Sequence, residues 1–177
     1  MKIGFIILFT FCVLIVIAEP LTDKNLHGEL KKMLKNKQYV LELVDGYDSN
    51  AIKGKYYHLK TTAADAGISY IYLGRVNTMR SQHQQTNGNS SEYFDYFILY
   101  DKQLAIQKVK IFNYQASHGE MISSPGWLKS FQGYTPKKSL EIGKQVDAIS
   151  GATISVNKLT FDIKQKSNLL YQLVVGK

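Results

Sequence analysis

The sequence predicts an α+β fold, an antiparallel sheet with a C-terminal helix packed on it, and three patterns carry that prediction. First, Tyr93 to Tyr100 is almost all aromatic or aliphatic, a composition that favours a strand. Second, a turn at Asp101-Lys102-Gln103 leads into a further strand from Leu104 to Tyr114. There Val109 and Ile111 fall on one face and Lys108 and Lys110 on the other, so the pair forms a hairpin with one wet face. Third, Val156, Leu159, Ile163 and Leu170 share a helical face that runs to about Tyr171.

The remaining elements follow in chain order. Leu26, Leu30, Met33 and Leu34 recur at helical spacing between Thr22 and Asn36, with Thr22 and Asp23 available as caps. Tyr39 to Val44 alternates as a strand and ends at Asp45-Gly46, and Tyr56 to Lys60 is a second short strand. Ser69 to Val76 is rich in β-formers, and Ser81 to Ser91 is a polar loop of Gln, Asn, Ser and Gly. After the hairpin, Pro125 and Gly126 open a short helix carrying Trp127, Leu128 and Phe131. Lys137 to Val146 then leads into the turn Ser150-Gly151-Ala152-Thr153, which is the entry to the last helix.

A chain of 177 residues with 45% apolar and 12% aromatic content has enough material for one packed domain, and 20% charge is too little for a disordered polyelectrolyte. The net charge is +8, and from Asp101 to Lys177 there are 11 lysines against five acids. These lysines are scattered singly or in pairs, which reads as a solvated basic surface. Lys2 precedes a run from Ile3 to Ala18 that is apolar apart from Gly4 and Thr10, the pattern of a signal peptide. Val16 and Ala18 are small enough to precede a cut between Ala18 and Glu19. The run is shorter than the ~20 residues that span a bilayer and longer than a minimal signal core, so a cleaved signal and an uncleaved anchor both stay open. Either way the globular part is expected to be exported, on the periplasmic or extracytoplasmic side of the membrane, where it meets no nucleic acid. The expected organisation is a leader over 1–18, a helix and strands over 19–92 that complete the domain, and a core over 93–177.

The single cysteine, Cys12, lies inside the apolar run, so the folded part has no thiol for a disulfide, a thiolate metal site or a nucleophile. Phe9-Thr10-Phe11 is too bulky to precede a lipid-modified cysteine. His27, His58, His83 and His118 show no ligand spacing, so no metal site is predicted. No Ser or carboxylate pair stands in a nucleophile context, which argues against a hydrolase and leaves no catalytic residue to name.

The turn before the last helix has a chemistry of its own. Small residues let backbone N–H groups turn inward, and the first N–H groups of a helix lack internal partners, so together they form a nest for a phosphate. The plain alternative is a cap in which Ser150 or Thr153 accepts from the helix backbone. Spacing alone leaves both open.

The stretch Asp147-Ala148-Ile149-Ser150-Gly151-Ala152-Thr153 resembles the flavinylation motif of the FMN-binding domain family. Its members include flavin-carrying subunits of the sodium-translocating NADH:quinone reductase and of the Rnf electron-transport complex. The resemblance runs from about Tyr93 to Tyr171, with the hairpin, the His118-Gly119-Glu120 loop, the Trp127 to Phe131 segment and the motif in the family's order. It implies an FMN-binding domain-like fold and a flavin transferase that moves the FMN part of FAD onto a threonine hydroxyl as a phosphate ester. By position that hydroxyl is Thr153, with Ser155 the nearest alternative. Ser150, Gly151, Ala152 and Ile154 would shape the nest, with Gly119 in the neighbouring loop, and Asp147 either belongs to the pattern the transferase reads or holds a turn. Trp127 either lies against the isoalloxazine ring or packs as core, and His118 with Glu120 either touches the flavin or faces solvent. The implied function is an exported flavoprotein module for extracytoplasmic electron transfer, exchanging electrons with a membrane redox complex or an exported donor or acceptor. The alternative is a non-catalytic envelope or membrane-surface module of the same fold without flavin.

Overall fold

Five strands pair in chain order into one antiparallel sheet: β1 (Tyr39–Leu43), β2 (Gly54–Thr61), β3 (Tyr70–Asn77), β4 (Tyr93–Tyr100) and β5 (Ile106–Tyr114). The structure, a computed structural model, describes residues 24–62, 67–78 and 92–176. The apolar leader with Cys12, the caps Thr22 and Asp23, and the polar stretch 81–91 with His83 lie outside the described residues. The helices are α1 (Lys24–Met33), α2 (Ser49–Ile52), α3 (Pro125–Leu128) and α4 (Thr153–Val175). The predicted α+β class, with the C-terminal helix on an antiparallel sheet, is the architecture observed.

Alternation along the central strand sets up the layers. Phe94, Tyr96, Ile98 and Tyr100 point to one face, where they pack with Val156, Leu159, Ile163 and Leu170 of α4. Phe97 and Leu99 point to the other, against Leu26 and Leu30 of α1 and the following Leu34. The sheet is therefore covered on both faces, and this corrects the expectation of a hairpin with one wet face. Lys108 and Lys110 do share the side opposite Val109 and Ile111, but there they meet Glu29 of α1 at 2.5 and 3.3 Å. The partner comes from 79 residues upstream of Lys108, and no local pattern announces it.

β5 is shorter than predicted because the turn before it is longer. The Asp101 carboxylate accepts from the backbone N–H groups of Gln103 and Ala105, both at 2.9 Å, and Leu104 takes a left-handed φ of 62°. β2, by contrast, begins at Gly54, two residues before the apolar pattern does, because Gly54 and Lys55 pair through their backbones with Gly74 and Leu73.

The layer under α4 is unusually rich in tyrosine, and the hydroxyls fasten the helix in register. Tyr56 donates to the Lys166 carbonyl at 2.7 Å, Tyr96 donates to the Asp162 carboxylate, and Tyr100 pairs with Ser167 Oγ at 3.1 Å. Asp162 also takes Lys166 Nζ at 3.0 Å. Burial pushes the Tyr96 and Tyr100 hydroxyls well above the ordinary tyrosine range, so both stay protonated donors. Each such bond contributes only about 1 kcal/mol net, but leaving a buried hydroxyl unpaired costs about 1–3 kcal/mol, so the set specifies one seating of the helix.

Candidate cofactor site

The chain between β5 and α4 crosses the edge of the sheet on the α4 side. Its middle is held to the start of β5: Ile106 N donates to the Tyr134 carbonyl at 2.9 Å, and Gly133 N to the Ile106 carbonyl at 2.7 Å. Ser124 caps α3, as the order Ser-Pro-Gly-Trp suggests, and the predicted helix continues as a 3-10 turn over Lys129–Phe131. Trp127 is 9% exposed, lies edge-on to Phe131 at 5.3 Å, and donates its indole N–H to the Asp147 carbonyl at 2.8 Å. Trp127 thus packs as core and ties down the head of the motif, while the Asp147 side chain is exposed.

From Asp147 the motif runs over the surface into α4. Gly151 takes a φ of +79°, which glycine adopts freely, and the helix begins at Thr153 with Ala152 in the N-cap position. No side chain caps it, so neither Ser150 nor Thr153 fills the capping role that spacing alone allowed. Ala152 is buried, whereas Ser150, Gly151, Thr153 and Ile154 are exposed. The first N–H groups of α4 therefore keep their bonding capacity beside an exposed hydroxyl. Ile154 is 40% exposed, and Met121, in the neighbouring 3-10 turn Glu120–Ser123, is 52% exposed. Two apolar side chains thus remain uncovered near the junction.

Ser155 is in a different situation from Thr153. It is 3% exposed, and its Oγ lies 3.2 Å from the Tyr114 hydroxyl, which donates to the His118 carbonyl at 2.7 Å. Burial pushes the Tyr114 hydroxyl above the ordinary tyrosine value, so it remains a donor. Gly119 sits directly on this pair with a φ of +89°, and a Cβ there would lie 2.7 Å from Ser155 Oγ. The structure thus brings Gly119 and Ser155 together through Tyr114, and leaves the His118 and Glu120 side chains exposed. A second tie holds the loop, since Glu92 accepts from both the N–H and the hydroxyl of Ser117.

Tyr114 is the residue that sequence reasoning missed. Strict alternation from Val109 and Ile111 sends Phe112 and Tyr114 toward α1. The register instead shifts at Asn113, which takes a φ of 51° as the extra residue between Phe94↔Tyr114 and Asp95↔Phe112. The bulge turns Tyr114 to the α4 side, where it stacks on Phe94 with ring centroids 5.5 Å apart. An asparagine inside an otherwise strand-like run was the available signal, because asparagine tolerates the left-handed region.

A profile of the FMN-binding domain matches residues 75–165, from β3 into α4. The chain belongs to the FMN-binding domain family. No curated protein matches the chain. As an FMN-binding domain it is a flavin-binding module, and the residues around the motif fit the group: an uncapped helix start suits the phosphate, and uncovered apolar side chains suit a flat ring. Among the described residues no cluster of three or more His, Cys, Asp or Glu could hold a metal ion, and no helix is long and apolar enough to cross a membrane.

Proposed function

We propose that the chain is an exported flavoprotein module carrying FMN as a phosphate ester on Thr153, for electron transfer outside the cytoplasm. The observation that carries the reading is the contrast between the motif's two candidate hydroxyls: Thr153 is exposed at the first turn of α4, and Ser155 is buried and engaged with Tyr114. In maturation a flavin transferase needs a hydroxyl it can reach. Thr153 supplies it, taking the FMN phosphate from FAD while the bond to AMP breaks and the hydroxyl loses its proton.

Around that ester the chain's own residues have separate tasks. The backbone of Ser150, Gly151, Ala152 and Ile154 would hold the phosphate, and Asp147 would give the transferase part of the pattern it reads. Tyr114, Gly119 and Ser155 hold the adjoining loop against α4. The bound flavin supplies one- and two-electron chemistry, while the protein sets its position, solvent access and local charge. A tether suits an exported carrier, since a short connection keeps a group at an effective concentration of ~mM where a released one would be diluted away. The electron partners on this reading are a membrane redox complex or an exported donor or acceptor.

Mass spectrometry of the full chain produced together with a flavin transferase tests the assignment. The peptide holding Thr153 gains the mass of an FMN ester, Thr153→Ala removes it, and Ser155→Ala retains it. An unmodified peptide overturns the covalent reading, and loss in Ser155→Ala alone moves the attachment to Ser155.

A further inference from the structure

The layer formed by α1 differs from the rest of the surface in the balance of its charge. From Lys24 to Lys37 the chain exposes Lys24, Lys31, Lys32, Lys35 and Lys37, and its one acid, Glu29, is buried and consumed by Lys108 and Lys110. None of those five lysines forms an ion pair among the described residues. Outside this segment acids are interspersed and some pair with cations: Lys60 meets Glu42 at 2.7 Å, Arg75 meets Asp95 at 2.6 Å, and Lys144 meets Glu141 at 2.7 Å. The outer face of α1 and the turn after it therefore form a cationic surface that no acid among the described residues pairs with.

A second feature lies at the C-terminal end of the same helix. A cleft of about 730 Å³ opens between it and the sheet edge, lined by Lys31, Lys37 and Lys60 with uncharged polar groups between them and no acid among the described residues. Its rim carries Val40, 55% exposed on β1. Ammonium groups around a polar cleft with an apolar rim match a surface that presents phosphates above hydrocarbon. We propose that the α1 face docks on an anionic phospholipid surface, with Lys24, Lys31, Lys32, Lys35 and Lys37 as the contact layer and the cleft taking a lipid headgroup.

Geometry and chain length agree with that orientation. Lys24 follows Ala18 by six residues, a reach of at most about 21 Å whatever the conformation, so an apolar segment held in a bilayer keeps α1 close to the surface. The α1 and α4 layers lie on opposite faces of one sheet, about 20 Å apart between axes. Docking through α1 turns Thr153 and its exposed neighbours away from lipid and toward soluble partners. The attraction is electrostatic, so it acts within a Debye length of about 8–10 Å and weakens as salt rises. Each lysine near such a surface raises affinity about fivefold.

Lysine acetylation footprinting of the full chain on vesicles tests the orientation, read by mass spectrometry residue by residue. On vesicles with one third phosphatidylglycerol, labelling of Lys31, Lys32, Lys35 and Lys37 is expected to slow at least threefold relative to pure phosphatidylcholine. Lys158 and Lys164 on α4 should be unchanged, and 0.5 M NaCl should abolish the difference. The variant K31Q/K35Q/K37Q, with its melting temperature checked against the parent, should lose the protection at Lys24 and Lys32. Equal labelling on both vesicles, protection that survives high salt, or protection at Lys158 and Lys164 overturns the proposal. So does protection by an oligonucleotide without protection by vesicles.

Discussion

Replacing Gly119 with alanine is expected to loosen the junction on which the candidate site stands, and the geometry allows the cost to be divided. Gly119 has a φ of +89°, and a side chain held in that region costs about 1–2 kcal/mol in backbone strain. The added Cβ would also lie 2.7 Å from Ser155 Oγ and 3.2 Å from both Ser155 Cβ and the Tyr114 hydroxyl, an overpacking worth about 1–3 kcal/mol. Together these give roughly 2–5 kcal/mol. At about 2–4 °C per kcal/mol for a chain of this size, the melting temperature should fall by roughly 4–20 °C. Gly151→Ala separates the two components: its φ of +79° carries the same strain, but a Cβ there meets nothing within 4 Å, so it should lose only about 1–2 kcal/mol. Gly126→Ala has neither strain nor contact and should be near neutral. Urea unfolding followed by circular dichroism measures all three, and adding Ser155→Ala to Gly119→Ala should recover about 1 kcal/mol, since the nearest clashing atom is gone. If Gly119→Ala is no less stable than Gly151→Ala, the close approach of the loop to α4 is wrong.

Two further perturbations probe the supports on either side of the sheet. At Glu29 burial pushes the carboxyl up, but hydrogen bonds and charge from Lys108 and Lys110 outweigh it, so the group lies below the ordinary glutamate value of 4.5. A lowered folded value means stability that is present above about pH 4.5 and lost as pH falls through the folded value, so Glu29→Gln should cost about 1 kcal/mol at pH 7 and a smaller amount at pH 3, measured by urea unfolding at each pH. Trp127→Phe removes the 2.8 Å bond to the Asp147 carbonyl and leaves a void, which should cost about 2–4 kcal/mol and speed hydrogen exchange of the amides from Asp147 to Ala152.

Where one pattern determined an element, the sequence was enough. Tyr93–Tyr100 is a strand to the residue because apolar side chains occupy both of its faces, and α4 follows its stripe of Val156, Leu159, Ile163 and Leu170. The helix continues past the predicted end near Tyr171 to Val175, since Leu173 and Val174 extend the stripe against the same core. What stayed hidden depended on distant partners or on broken alternation. Lys108 and Lys110 look like a solvent-facing row until α1 brings Glu29 across the sheet. Tyr114 reads as the end of a strand until the bulge at Asn113 reverses its face and sets it against Ser155. The motif itself was readable as a helix entry, but its unused caps and the opposite environments of Thr153 and Ser155 arise only once the loop at Gly119 folds onto it.

The anchoring of Trp127 under Asp147 also gives the protein an optical gauge. Trp127 is the one tryptophan in the sequence, and its buried indole is tied to the carbonyl of Asp147, six residues ahead of Thr153. Indole emission overlaps flavin absorption, so on the proposed reading resonance energy transfer dims the tryptophan as each molecule acquires its flavin. Maturation by the transferase could then be timed in unlabelled protein, from ultraviolet fluorescence alone.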